Sequence, residues 1–253
     1  MIDACGVTHP GRVRAVNEDT FLVDHELQVF VVADGMGGHN AGDVASRIAV
    51  ETVRAFVARS RDQAECTWPY GIDGNLSLDA NRLRTALRVA NRRVFKAADD
   101  RDDYAGMGTT IVAALVGENH VCYGGVGDSR MYAYSGGALS QVTQDDSWVA
   151  TILAADPAMT KEEMASHPMR HMLTKVLGAT ATIDLDVSER RLQDGDRFLL
   201  CSDGLHNALD DTALDAVLST ASSANDGVDR LLQTALDGPA ADNVTAIVVH
   251  YST

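Results

Sequence analysis

Five aspartates stand beside apolar strand ends or glycine turns: Asp19, Asp34, Asp128, Asp203 and Asp242. Strand ends can bring such carboxylates together at one edge of a core. Buried side by side, like charges repel and raise one another's pKa. A divalent cation removes that repulsion, and oxygen-only donors suit magnesium or manganese. Two such ions about 4 Å apart can share a carboxylate and activate water for phosphoryl transfer. The residues alone leave two readings open: metal-assisted phosphoester hydrolysis, and a globular domain whose acids stabilise turns.

Other chemistries find less support. No HExxH pair is present, and His167 and His171, four apart, are separated by Pro168 with no nearby cysteine. No GxxxxGK[ST] loop signals nucleotide binding. Cys201-Ser202 has no evident base at hydrogen-bond spacing. The cysteines, Cys5, Cys66, Cys122 and Cys201, are too widely spaced for a CxxC site or a dense disulfide framework. Cys122 and Cys201 lie in apolar runs and read as buried free thiols.

The elements that must position the acids alternate between two periods. Runs at 20–23 and 29–33 read as strands, the second stopping at Asp34-Gly-Met-Gly-Gly-His39. Helical spacing of Val44, Ile48, Ala49, Val53, Phe56 and Val57 predicts a helix over about 41–58, and Leu83, Leu87, Ala90 and Val94 a second over 79–98. Residues 59–78, with Trp68-Pro69-Tyr70-Gly71, read as a loop or insertion. Strands are predicted at 111–116 and 120–126, with a hairpin through Ser135-Gly136-Gly137. Residues 144–181 hold neither period for long and fit a flap with short helices. Strand 198–202 ends at Asp203-Gly204, helices follow over 210–219 and 227–237, and Asp242-Asn243 precedes a last strand. The pattern favours a single α+β domain.

Composition sets outer limits. The chain has 253 residues, 45% hydrophobic, with 21 Lys and Arg against 36 Asp and Glu, a formal net charge of −15. That acidity argues against a general nucleic-acid binder, which must neutralise phosphates. No stretch approaches the roughly 20 apolar residues that cross a bilayer, and the N-terminus does not read as a signal peptide. The expectation is a cytoplasmic protein, with no membrane span and no nucleic-acid partner.

The ordered motifs resemble the metal-dependent Ser/Thr protein phosphatases, the PPM or type 2C family, above all its short bacterial members. They are Arg14-Ala-Val-Asn-Glu18-Asp19, Asp34-Gly-Met-Gly-Gly-His39 with Ala41-Gly42, Gly106-Met-Gly-Thr-Thr110, Gly127-Asp-Ser-Arg130 with Tyr132, Leu177-Gly178, the run from Gly195 to Leu205, and Asp242-Asn-Val-Thr245. Together they span about residues 6 to 250.

This resemblance implies a four-layer αββα sandwich, two antiparallel sheets with flanking helices. One catalytic domain would occupy 1–253, with a flap subdomain at about 144–181. The implied activity is Mg²⁺- or Mn²⁺-dependent hydrolysis of phosphoserine and phosphothreonine in proteins by metal-activated water. Asp34 matches the carboxylate bridging two central ions, and the Gly35 carbonyl a backbone ligand. Asp203 and Asp242 match the other direct ligands of the first ion, and Glu18 and Asp19 acids around the second. Asp128 matches a ligand of a third, weaker ion, shared with Asp203. Arg14 matches the phosphate-binding arginine, whose planar fork suits two phosphate oxygens.

The chain also departs from the wider pattern. Met36 stands where eukaryotic relatives carry a histidine and cannot exchange a proton, which leaves His39 as the nearby ionisable alternative for a catalytic acid. Asp145-Asp146-Ser147 replaces the more usual Asp-His-Ser before the flap, and Asp43 replaces a glutamate. The implied partners are phosphorylated proteins and a cognate Ser/Thr kinase, with the enzyme a monomer.

Overall fold

In a computed structural model, the described residues are 1–37, 41–61, 66–155, 167–169, 172–238 and 240–253. His39 and His171 lie outside them.

Strand β3 (Val29–Met36) shows why the architecture has four layers. Val29 to Ala33 are all buried, yet side chains alternate faces along a strand. Val29, Val31 and Ala33 pack towards helices α1 (Ala41–Ser60) and α2 (Leu78–Asp99). Phe30 and Val32 point the other way, onto Met131, Phe198, Leu200 and Ile247 of a second sheet. A run buried on both faces reads as continuous apolar sequence, as this one does.

The first sheet has order β2-β3-β5-β6-β9, with β2 (Asp19–Asp24), β5 (Ile111–Val116), β6 (His120–Val126) and β9 (Val187–Arg191); short β4 (Gly108–Thr109) adds to β3. The second has order β1-β11-β10-β7-β8, from β1 (Ile2–His9), β7 (Arg130–Ser135), β8 (Ala138–Gln141), β10 (Arg197–Cys201) and β11 (Val244–Tyr251). Every pairing is antiparallel. The outer face of the second sheet is covered through Leu214, Leu218, Val228 and Leu231 of two later helices. The expected αββα sandwich is therefore the observed fold.

Helix starts follow local chemistry. Ser77 accepts a hydrogen bond from the Ala80 amide at 3.1 Å and opens α2. After short α3 (Trp148–Ala155) and one-turn α4 (Asp203–His206), Asp210 caps α5 (Asp211–Thr220) and Ser223 caps α6 (Ala224–Asp237). Among the described residues no helix is long and apolar enough to cross a membrane.

The described parts of 144–181 are tied to both sheets: Leu177 bridges Thr109 of β4, and the start of the segment meets the turn between β6 and β7. Asp146 N–H donates to the Gly127 carbonyl at 2.8 Å, and Lys175 pairs with Asp146 at 3.3 Å. Arg130 holds Asp145 through a fork with bonds of 2.7 and 3.0 Å. Asp146, which stands where the family pattern has a histidine, and its neighbour Asp145 thus both have structural partners. Trp148 stacks on His167 with ring centroids 4.0 Å apart.

Candidate active site

Strand register delivers the acids. Asp19 opens β2 directly opposite Asp34 on β3. In the other sheet Cys201, which closes β10, lies opposite both Arg130 and Ala246, so residues just past these strand ends share one edge. Asp128, Asp203 and Asp242 occupy those positions. Both sheets present carboxylates at the same end of the sandwich, and all five predicted aspartates meet there.

Asp19 ties the two sheets together. Its Oδ2 accepts hydrogen bonds from Ser202 Oγ at 2.8 Å and Thr245 Oγ1 at 2.6 Å, both on the opposite sheet's edge. Its Oδ1 is buried with no hydrogen-bond partner. Burial pushes the Asp19 carboxyl up to about 6, against the pull of the two hydroxyls, with Asp203 and Asp242 adding repulsion. Asp34 is raised well above the usual carboxylate range, by burial first and then by Asp19, Asp203, Asp128 and Asp242. Asp128 is pushed up to about 7 by burial and by Asp203.

Such repulsion is the signature of a site built for positive charge. An orphaned buried carboxylate oxygen within a set of oxygen donors fits hard divalent cations, so the residues present suit magnesium or manganese.

Two glycines set the close geometry beside Asp34. A Cβ on Gly35 would lie 2.0 Å from the Gly42 carbonyl oxygen and 2.8 Å from that of Glu18. The absent side chains let the start of α1 approach the end of β3. Glu18 lies in this contact, its carboxylate accepting from the Gly42 amide, while burial raises its pKa. Its backbone is fixed by Asn243 Oδ1 at 2.9 Å and by a bond from Ser46 Oγ at 2.7 Å.

Arg14 stands at the mouth of the cluster, its Nη2 2.6 Å from Asp242 Oδ2, with that side chain 54% exposed. Asp242, Asp34 and Glu18 all favour its charged form, the hydrogen bond it donates to Asp242 most. A cation beside the acids can bind the nonbridging oxygens of a phosphate.

The structure therefore brings together Arg14, Glu18, Asp19, Asp34, Gly35, Asp128, Asp203 and Asp242, while the proposed acid His39 lies outside the described residues. Sequence reasoning gave no role to Ser202 and Thr245, which orient Asp19, nor to Asn243, whose Nδ2 also bonds the Pro10 and Val16 carbonyls. His206 Nε2 sits 2.9 Å from the Asp128 carbonyl, and Thr110 Oγ1 accepts from the Asp34 amide at 3.1 Å. Apart from His206, which directly follows one, these residues lie inside the quoted motifs, which assign them no role.

Residues 6–237 match a family model described as Protein phosphatase 2C. The chain is 33% identical over 253 residues to the serine/threonine phosphatase stp of Listeria welshimeri, covering 96% of this chain and 93% of that protein. It is 37% identical over 241 residues to the serine/threonine protein phosphatase PstP of Mycobacterium tuberculosis, covering 94% of this chain and 43% of that longer protein. A crystal structure of the PstP catalytic domain in complex with two manganese ions superposes with a TM-score of 0.83 at 30% identity, over 100% of this chain and 99% of that one.

Proposed function

Since this chain belongs to the protein phosphatase 2C family, in its bacterial branch, and is a metal-dependent protein-serine/threonine phosphatase, we propose that it hydrolyses phosphoserine and phosphothreonine by direct attack of water, without a covalent phosphoenzyme. The observation that carries this reading is the five-aspartate edge, with the orphaned Asp19 Oδ1 inside it and Arg14 beside it. Asp34, the Gly35 carbonyl, Asp203 and Asp242 would hold a first Mn²⁺ or Mg²⁺, Glu18 and Asp19 a second, and Asp128 with Asp203 a third, weaker one. When bound, these ions supply Lewis acidity and a water activated as nucleophile.

The chain's own groups then do three things. Arg14 exchanges its contact with Asp242 for phosphate oxygens and orients phosphorus towards the acidic edge. The hydroxyls of Ser202 and Thr245 hold Asp19 in one rotamer, so that Oδ1 stays aimed into the cluster. The leaving seryl or threonyl oxygen takes its proton from His39 or from solvent. Residues 144–181 act as a flap governing peptide preference, within one catalytic domain spanning 1–253. The substrates are phosphoproteins made by a cognate Ser/Thr kinase.

Hydrolysis of a phosphothreonine peptide in ¹⁸O-water tests the mechanism. The label is expected in released phosphate, with turnover that needs manganese and stops with chelator. A stoichiometric phosphohistidine or phosphocysteine intermediate would overturn it.

A further inference from the structure

A second group of metal-ligating side chains stands at the far end of the first sheet. His120 opens β6, whereas Asp128 lies just beyond its other end. A seven-residue strand rises roughly 20 Å, so the two groups are separate. His120 and Cys122 share a face of β6, and Cys122 is the cross-strand partner of Glu189 on β9. One ligand atom from each of His120, Cys122 and Glu189 lies within 4.8 Å of the others. Asp79, in the first turn of α2, adds a carboxylate oxygen 3.2 Å from His120 Nε2.

The imidazole is arranged as a ligand. Its Nδ1 is 3.4 Å from Asn119 Oδ1, which accepts from the ring in the tautomer protonated at Nδ1, the form a metal bound at Nε2 selects. In the neutral ring Nε2 then presents a lone pair. That nitrogen is shielded from solvent and has no hydrogen-bond partner. It faces Asp79 at 3.2 Å without hydrogen-bond geometry. A lone pair and a carboxylate oxygen this close repel unless a metal ion or a proton lies between them.

The surroundings hold the other donors in place. Ser77 N–H donates to Glu189 Oε1 at 3.0 Å, and Arg82 donates to Asp79 Oδ1. Gly117 lets the ring approach, since a Cβ there would lie 2.4 Å from His120 Cε1. Hydrogen bonds behind the ligands are how proteins orient metal donors.

We propose that His120, Cys122, Glu189 and Asp79 form a four-coordinate zinc site that clamps β6, β9 and the start of α2, separate from the acidic edge. One sulfur, one imidazole nitrogen and two carboxylate oxygens form a donor set of intermediate softness, suited to Zn²⁺ and unlike the oxygen-only cluster. Binding releases the Cys122 thiol proton to solvent and forms a zinc–thiolate bond. With all four positions filled by protein, the role is structural.

Cobalt(II) is the probe, added to the chelator-stripped full chain. None of the proposed ligands at the acidic edge carries sulfur, so they cannot give a thiolate-to-cobalt charge-transfer band. We expect that near-ultraviolet band to saturate at one equivalent and to vanish on adding Zn²⁺. Cys122→Ser removes it, whereas Cys66→Ser keeps it. Glu189→Gln, at an exposed position, weakens cobalt binding at least about tenfold while leaving manganese-dependent peptide hydrolysis unchanged. Should Cys122→Ser fail to fold, His120→Gln and Glu189→Gln carry the test. Absence of a sulfur band, its persistence in Cys122→Ser, or full cobalt affinity in both other variants overturns the proposal.

Discussion

Repulsion among the carboxylates at the acidic edge ties the stability of the metal-free chain to pH. Asp128 rises from the ordinary 3.8 to about 7 in the folded chain. A group with a raised folded pKa contributes stability fully present below its unfolded pKa and lost as pH rises through the folded one. For Asp128 that window runs from about 4 to about 7. At 1.36 kcal/mol per pKa unit the full effect is about 4 kcal/mol, and solvent reaching this partly buried group lowers it to about 2 kcal/mol. His206, held neutral by burial at about 4, works in the opposite direction below its unfolded pKa. The absolute pH profile of the wild type therefore mixes both effects, and a variant that keeps His206 isolates the carboxylate.

Asp128→Asn is that variant, because His206 contacts the backbone carbonyl, which it retains. In chelator-treated protein, Asp128→Asn should melt about 4–8 °C above wild type at pH 8. At pH 4 the two should melt together. Manganese should then stabilise the wild type more than the variant at pH 8, since Asp128 is also proposed as a ligand. Thermal melts with and without manganese at both pH values supply all the comparisons. Identical metal-free profiles for the two proteins would refute the reasoning, because Asp128 would then carry no repulsion for asparagine to relieve.

Four further outcomes follow from the same geometry. Arg14→Ala should lower kcat/KM for a phosphothreonine peptide about 10- to 100-fold, with Arg14→Lys recovering only part; unchanged steady-state kinetics would exclude phosphate contact. Asp34→Asn should remove the calorimetric signal of tight manganese binding and reduce turnover at least about 100-fold. Thr245→Ala removes a 2.6 Å bond to Asp19 and should cost about 1.5–3 kcal/mol in urea unfolding above pH 6, where that carboxyl is ionised. Gly35→Ala drives a Cβ to 2.0 Å from the Gly42 carbonyl and should destabilise by more than about 2 kcal/mol in the same assay.

The sequence was legible where burial is two-sided or strictly periodic. Val29–Ala33 is apolar throughout because one face meets helices and the other meets a sheet. Strands β1 and β9 escaped the periodicity reading for opposite reasons. Ile2–His9 interleaves Asp, Cys, Gly and Thr in a half-buried edge strand. Val187–Arg191 is mostly charged because it closes the other sheet's edge, where exposed charge discourages further pairing. The five aspartates stood out because each punctuates a strand or a glycine turn. The hydroxyls that orient Asp19 did not, since Ser202 and Thr245 are 183 and 226 residues away along the chain. The His120 and Glu189 grouping was hidden for the same reason, as it exists only once β9 pairs with β6.

The contrast between Asp19 and Arg14 explains how one edge can be both rigid and responsive. Asp19 is buried and held by two hydroxyls from the opposite sheet, so moving it would strand polar groups away from water. It therefore locks the two sheets in the relative position that gathers the other acids. Arg14 is mostly exposed, and its pairing with Asp242 is of the kind worth about 0–1 kcal/mol in water. A phosphate dianion competes easily against so weak a contact, while a buried pairing would resist exchange. The division places fixed geometry where positive charge must be collected, and exchangeable geometry where substrate must enter and phosphate must leave.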